Sequence, residues 1–229
     1  MTSVGGERVT AVDLTAEGVE GDRQYGLIDA IDGLPAAPEK ELRWRKALHL
    51  RAAASRDRLA QLTLPDGRSY ALDDRALNSE LSAYFGFAVC VAAYEHTRRR
   101  NGFPITRYRH PHFPIHLLTS ASLTQLGKFG SSGPPDSRRF RPTALIAAEG
   151  EGFVENDWVG RRLRIGAVKL AGHESTKRCG VTLVSQPGLD EDPDILRNVL
   201  RHNRRHLGIY CTIETPGQIR VGDEVHVDL

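Results

Sequence analysis

The chain has 229 residues, 40% hydrophobic and 26% charged, with a formal net charge of +2. This is the profile of a soluble globular protein with length for one large core or two modest ones. No apolar run approaches the roughly 20 residues of a membrane-crossing helix, Met1 to Gly6 has no secretory pattern, and the near-neutral balance offers no broad basic surface for nucleic acid. A cytoplasmic protein with no membrane or nucleic-acid role is therefore expected.

In chain order, Tyr25 to Ile31 is an apolar run that ends at the turn pair Asp32-Gly33. Ala47 to Ala53 and Leu59 to Leu64 are strand candidates. Pro65-Asp66-Gly67 is a turn, because Pro fixes φ and Gly permits φ > 0. Asp74 to Phe85 is predicted helical, capped by Asp73 or Asp74, with Leu77, Leu81, Tyr84 and Phe85 on one face. Phe87 to Ala93 is predicted to be a buried strand.

Glu95 to Pro114 is polar, basic and interrupted by prolines, which marks a connection between two subdomains. Ile115 to Leu118 is a short strand, and Ser120 caps a helix carrying Leu123, Leu126 and Phe129. Gly130 to Asp136 is a loop. The remaining predicted strands are Ala144 to Ala148, Leu163 to Ile165, Val168 to Ala171, Val181 to Val184, Leu207 to Ile213 and Val225 to Val227. A helix from Pro193 to Arg205 interrupts them, with Ile195, Leu196, Val199 and Leu200 at helical spacing. Short strands, regular turns and few helices predict a mainly β fold, a closed or nearly closed barrel.

The three cysteines are an odd count at wide spacing with no CxxC pair. That argues against a disulfide framework, a zinc ribbon or a plant-type iron–sulfur cluster, and fits a reducing compartment. Cys179 follows Lys177 and Arg178 and precedes Gly180 and an apolar run. Neighbouring cations favour the thiolate, which is both nucleophile and soft metal ligand; the alternative is a small core residue. Cys90 and Cys211, among strand-forming residues, read as core filler.

Basic residues cluster at 98–100, 107–109, 138–139, 161–162 and 201–205. Such clusters are either solvated faces or local anion sites, since guanidinium forks match phosphate oxygens. His110, His112 and His116 surround two prolines and read as a surface loop. His173, six residues before Cys179, is a candidate general acid. Asp22 and Asp223 each follow Gly and read as turn formers, and Trp158 as a lid over the core.

Several blocks, in this order, resemble one family. They are Gly21-Asp22-Arg23, Leu118-Thr119-Ser120-Ala121-Ser122-Leu123, Arg139-Phe140-Arg141-Pro142, Glu155 to Gly166 with Trp158, Thr176-Lys177-Arg178-Cys179, and the closing Leu207 to Tyr210 and Pro216 to Asp223. Together they resemble the MOSC family, named after the molybdenum-cofactor sulfurase C-terminal domain. The resemblance implies a MOSC β-barrel with a few helices at 96–229, and a smaller N-terminal β-barrel-like subdomain at 1–95. Thr2 stands where family members carry a lysine in a first strand ending Pro-Val-Lys-Ser, so either that strand is missing or the true start lies upstream. Thr143 stands where the family commonly has Asn, and only Glu155 clearly keeps its charge ahead of Trp158.

The resemblance further implies a molybdenum cofactor (molybdopterin), with Cys179 as catalytic residue and molybdenum ligand. Arg23, Ser120, Ser122, Arg141, Thr143 and Arg178 are the implied cofactor-binding residues. The leading expectation is reduction of N-hydroxylated or N-oxide small molecules with electrons from a separate reductase. The alternative is a sulfur carrier or sulfurtransferase, independent of pyridoxal phosphate, using a Cys179 persulfide loaded by a cysteine desulfurase. A non-catalytic binding module is the third.

Overall fold

The computed structural model describes residues 1–54, 60–97, 102–108, 113–130 and 133–228. Leu59, Arg98 to Arg100, Arg109, His110 and His112, named above, lie outside the described residues. The strands run β1 (Ala11–Thr15), β2 (Gly18–Val19), β3 (Tyr25–Asp29), β4 (Arg51–Ala53), β5 (Gln61–Thr63), β6 (Ser69–Ala71), β7 (Val89–Tyr94) and β8 (Ile105–Thr106). They continue with β9 (Ile115–Thr119), β10 (Ala144–Ile146), β11 (Arg162–Ile165), β12 (Val168–Lys177), β13 (His206–Thr215), β14 (Gly217–Arg220) and β15 (Val225–Val227). The α-helices are α1 (Leu77–Phe85), α2 (Ser120–Gly127) and α3 (Pro193–Asn203).

The chain folds into two compact units. One comprises Met1–Arg8, Gly21–His112 and Ser185–Asp190; the other comprises Val9–Glu20, Phe113–Val184 and Glu191–Leu229. Among the described residues, no helix is long and apolar enough to cross a membrane.

The first unit holds two three-stranded sheets, β3-β7-β8 and β4-β5-β6. They share a core around Trp44, Leu50, Leu62, Leu72, Leu77, Leu81, Phe85 and Val91. The strand predicted from Ala47 to Ala53 is only Arg51–Ala53, because a 3₁₀ segment, Leu42–His49, takes up its first part. Trp44, Ala47 and Leu48 are buried at helical spacing, and the Trp44 ring meets Phe85 and Phe87 edge-on at 5.1 and 4.9 Å. Helix α1 starts later than predicted, at Leu77. Asp74 instead accepts the Ala76 N–H in a local turn ahead of it.

In the second unit a six-stranded sheet, β10-β9-β13-β12-β11-β15, curls as a half-barrel beside the three-stranded β14-β1-β2. This is a mainly β fold, as the sequence predicts. Strand β1 pairs antiparallel with β14, setting Ala11 opposite Arg220, which is how Val9–Glu20 joins this unit. One face of the large sheet buries Ile115, Leu117, Leu163, Ile165, Leu170, Ile209 and Cys211. Leu118, on the other face, packs with Leu123, Leu126, Phe140, Ile195, Val199 and Leu207. The alternation along β9 follows from strand pleating and sends His116 to the same side as Leu118.

Three local readings change in this unit. Thr119, not Ser120, caps α2, its Oγ1 accepting the Ser122 N–H at 3.1 Å. Leu200 of α3 is exposed, while Ile195 and Val199 carry the buried face. Val181 to Val184 is no strand: Gly180–Leu183 is a 3₁₀ turn, because the Thr182 N–H and hydroxyl both bond the Cys179 carbonyl, at 3.2 and 3.0 Å.

Candidate active site around Cys179

Strand β12 delivers Cys179 one residue beyond its partnered end. The Arg178 N–H donates to the Arg205 carbonyl at 2.8 Å, and Arg205 Nε returns a bond to the Arg178 carbonyl at 2.7 Å. Arg205 reaches this position through two consecutive left-handed residues, Arg204 (φ 50°) and Arg205 (φ 72°), that end α3. Such non-glycine conformations are costly and persist where the surroundings hold them. Cys179 then sits half-buried at the head of the 3₁₀ turn that its own carbonyl anchors.

Arg178 turns inward and is only 6% exposed. Its Nη2 donates to the Phe140 carbonyl at 2.7 Å, its Nη1 lies 3.5 Å from His116 Nε2, and its guanidinium covers the Phe140 ring at 5.5 Å. Among the described residues the Nε–H has no hydrogen-bond partner. Among the described residues no carboxylate pairs with this cation; burial pushes its pKa down, against the pull of Tyr210 and Cys179.

His116 is the residue that the sequence reading missed. It is buried on β9, not in a surface loop; the alternation Ile115-His116-Leu117-Leu118 was the signal for a side chain facing α2 and α3. Its Nδ1 lies 3.3 Å from the Arg141 carbonyl. A carbonyl only accepts, so Nδ1 carries the proton in this bond and Nε2 is left as the acceptor for Arg178.

Arg141 presents that carbonyl from a left-handed backbone (φ 54°), after the 3₁₀ turn Ser137–Phe140. It precedes Pro142, which normally forces an extended backbone, so the conformation is strained. Thr143 clasps the same strand. Its N–H donates to the His116 carbonyl at 2.8 Å, and its hydroxyl accepts the His116 N–H at 3.1 Å. Chained contacts thus connect Arg141, Thr143 and Arg178, through His116, to Cys179.

The two predicted serines are engaged elsewhere. The Ser120 hydroxyl donates to the Ala148 carbonyl at 3.2 Å and accepts the Ala148 N–H at 3.0 Å. The Ser122 hydroxyl donates to Glu155, which also accepts from the Thr119 hydroxyl at 2.6 Å and the Gly208 N–H at 3.0 Å. Arg23 belongs to the first unit, where it pairs with Asp22 at 3.3 Å and its carbonyl accepts the Tyr108 hydroxyl at 2.6 Å.

His173 is exposed and meets Phe113 at 5.1 Å. Trp158 packs against the sheet's apolar face. Asp22 and Asp223 each accept a nearby backbone N–H, from Arg23 and Arg220, as turn residues do. A shallow trough of about 580 Å³, lined by Arg161, Arg162, Glu214 and Asp228 among others, contains none of the candidate residues.

A family model for the MOSC domain matches residues 105–226, just over half of the chain. The chain belongs to the MOSC family. That family is associated with the molybdenum cofactor. No curated protein matches the chain. Among solved structures, the YuaD protein from Bacillus subtilis is similar at 14% identity, covering 96% of this chain and 86% of its own, with a TM-score of 0.48. YiiM from Geobacillus stearothermophilus is similar at 14% identity, covering 51% of this chain and 55% of its own, with a TM-score of 0.40. The MOSC match takes in β9, β12 and β13, and with them Cys179, Arg178 and His116.

Proposed function

We propose that this MOSC protein binds the molybdenum cofactor, with Cys179 as the protein ligand to molybdenum, and reduces N-hydroxylated or N-oxide small molecules. The observation that carries the reading is a buried guanidinium, Arg178, with no carboxylate partner among the described residues, next in sequence to a half-buried thiol. A buried charge without a counter-charge is costly, and an anionic group in its site removes that cost. The residues present therefore fit an anionic, sulfur-ligated cofactor. The bound cofactor would supply the redox and oxygen-atom chemistry.

Cys179 would supply the thiolate, a soft ligand suited to such a metal. Arg178 would balance negative charge from inside, and Arg141 would hold the phosphate. Thr143 would act through the His116 backbone that it clasps. Ser120 and Ser122 would have to exchange their bonds to Ala148 and Glu155 before either hydroxyl could donate to the cofactor. Three widely spaced cysteines provide no iron–sulfur set, so electrons would come from a separate reductase.

Expression with added molybdate, followed by metal and pterin analysis of wild-type and Cys179→Ser protein, tests the proposal. The expected result is molybdenum in the wild type and its loss in the variant. A wild type free of molybdenum under those conditions rejects it.

The committed hydroxyls of Ser120 and Ser122 favour a second reading, sulfur transfer. A persulfide on Cys179 requires only the adjacent cations. Incubation with a cysteine desulfurase and a sulfur donor should then add one sulfur atom to Cys179 by mass spectrometry; an unmodified cysteine argues against it.

A further inference from the structure

Helix α3 has two faces. Ile195 and Val199 are buried with Leu118, Leu123 and Leu207, whereas Arg197, Leu200 and Arg201 fall on the opposite side, at spacings of three and four residues. Arg197 pairs with Asp194 in the helix's first turn. Further along, Leu200 is 57% exposed, and Arg201 and Arg204 are exposed as well. Exposed Lys177, opposite His206 in the β12–β13 pairing, and half-buried Arg205 add two cations to this end of the helix. Among the described residues, none of Lys177, Arg201, Arg204 and Arg205 has a carboxylate at ion-pair distance.

Attraction to the carbonyl end of a helix accounts for a cation there. It does not account for arginine at two successive left-handed positions, φ 50° and 72°, where glycine or asparagine costs least. Arg205 offsets that cost through its two bonds to Arg178, the residue before Cys179. Among the described residues the Arg204 side chain makes no hydrogen bond that would do the same. Helix α3 also packs against the Gly180–Leu183 turn that Cys179 heads. The cationic end of the helix therefore borders the candidate site.

We infer that this exposed end of α3, Leu200 with Arg201 and Arg204 and with Lys177 on the adjoining strand end, is the docking surface for an acidic electron-donor protein. The inference rests on the proposed redox role of Cys179. Three widely spaced cysteines provide no iron–sulfur set, so electrons reach the site from another protein. Cations around an exposed apolar side chain match an acidic partner: complementary charge steers the approach, and the apolar contact adds to the hold. The same groups repel a basic donor.

Calorimetric titration of cofactor-free protein with purified flavodoxin, an acidic one-electron carrier, and with cytochrome c, a basic one, reads the surface. Flavodoxin should bind at about 50 mM salt and be released by about 0.5 M, where screening has shortened the reach of these charges. Cytochrome c should not bind. Arg201→Glu/Arg204→Glu should weaken flavodoxin binding about tenfold, with a melting temperature close to wild type, since neither side chain has an ion pair to lose. Arg161→Glu/Arg162→Glu changes the net charge equally at the shallow trough instead, and should leave the affinity unchanged. Leu200→Ala should weaken binding without altering its salt dependence.

No flavodoxin binding by the wild type, binding indifferent to salt, or equal losses in the two double variants overturns the inference. The titration needs no molybdenum. Salt-dependent docking by a protein that never loads the metal rejects only the cofactor proposal, whereas loading without docking rejects only the surface.

Discussion

The Glu155 carboxylate accepts the hydroxyl of Ser122 at the first turn of α2, with both side chains at 0% exposure. The same carboxylate takes the Thr119 hydroxyl and the Gly208 N–H, so one side chain fastens α2, β9 and β13 together. It also answers the N–H-rich end of the helix with negative charge from within the protein.

Glu155→Ala should therefore be severe. It strands three buried donors, and hydrogen bonds to a charged group contribute roughly 1.5–3 kcal/mol each without adding fully. We expect a loss of about 3–5 kcal/mol in urea unfolding, with Glu155→Gln intermediate. A loss below about 1 kcal/mol would mean that the clasp is not what holds these elements together.

Gly208 is required twice over. Its φ of 82° lies in the left-handed region, and an added Cβ would overlap His116 Nε2 and come 2.6 Å from the Leu117 carbonyl oxygen. Gly208→Ala should lower stability by about 2–4 kcal/mol. A melting temperature equal to wild type would contradict this.

The cysteines should separate under alkylation of native protein. Burial pushes the Cys211 thiol up to about 12, and Cys90 is raised by burial and by the nearby Asp29 carboxylate. Cys179 is half-buried at the head of the 3₁₀ turn Gly180–Leu183, just past the end of β12. Mass mapping after brief iodoacetamide treatment should find Cys179 modified first and Cys211 unmodified until the protein is unfolded. Equal labelling of Cys179 and Cys211 would refute this.

Asp29 should make the first unit acid-sensitive. The Ile31 N–H at 2.9 Å is the main cause holding its carboxyl below the usual value, and the Arg43 guanidinium at 2.6 Å adds to it against the opposing effect of burial. With the folded pKa below the unfolded one, the stabilisation is complete above the unfolded value, about 3.9. It is lost as pH falls through the folded value. Urea midpoints measured from pH 6 to pH 2 should drop in wild type below about pH 4. Asp29→Asn should be less stable at neutral pH and flatter across that window; an unchanged acid slope would exclude Asp29 as its source.

Much of the local structure was legible. The turn at Pro65-Asp66-Gly67 forms with Gly67 at φ 88°, and α1, α2 and α3 occur where apolar spacing indicated, although the expected caps of α1 and α2 do not cap them. The failures share a cause. Val181 to Val184 is apolar and β-branched, yet Thr182 folds back on the Cys179 carbonyl, and Ala47 to His49 looks extended until Trp44 is seen to set a helical face. In both cases a short apolar run suits two periods, and packing chooses between them. The histidine at 116 was read from the prolines around it, when the informative context was the strand that it alternates within.

The sequence by itself determined the family, the mainly β character and the placing of Cys179 after two cations, because periodicity, turn residues and motif order are local properties. Only the tertiary structure decided that Arg178 turns inward, where Phe140 and His116, 38 and 62 positions away in sequence, hold it. It alone leaves Arg178 Nε and Thr176 Oγ1 buried without a hydrogen-bond partner among the described residues. Whether a polar group is buried, and whether it finds a partner there, depends on which distant elements cover it, and no window of neighbouring residues contains that information.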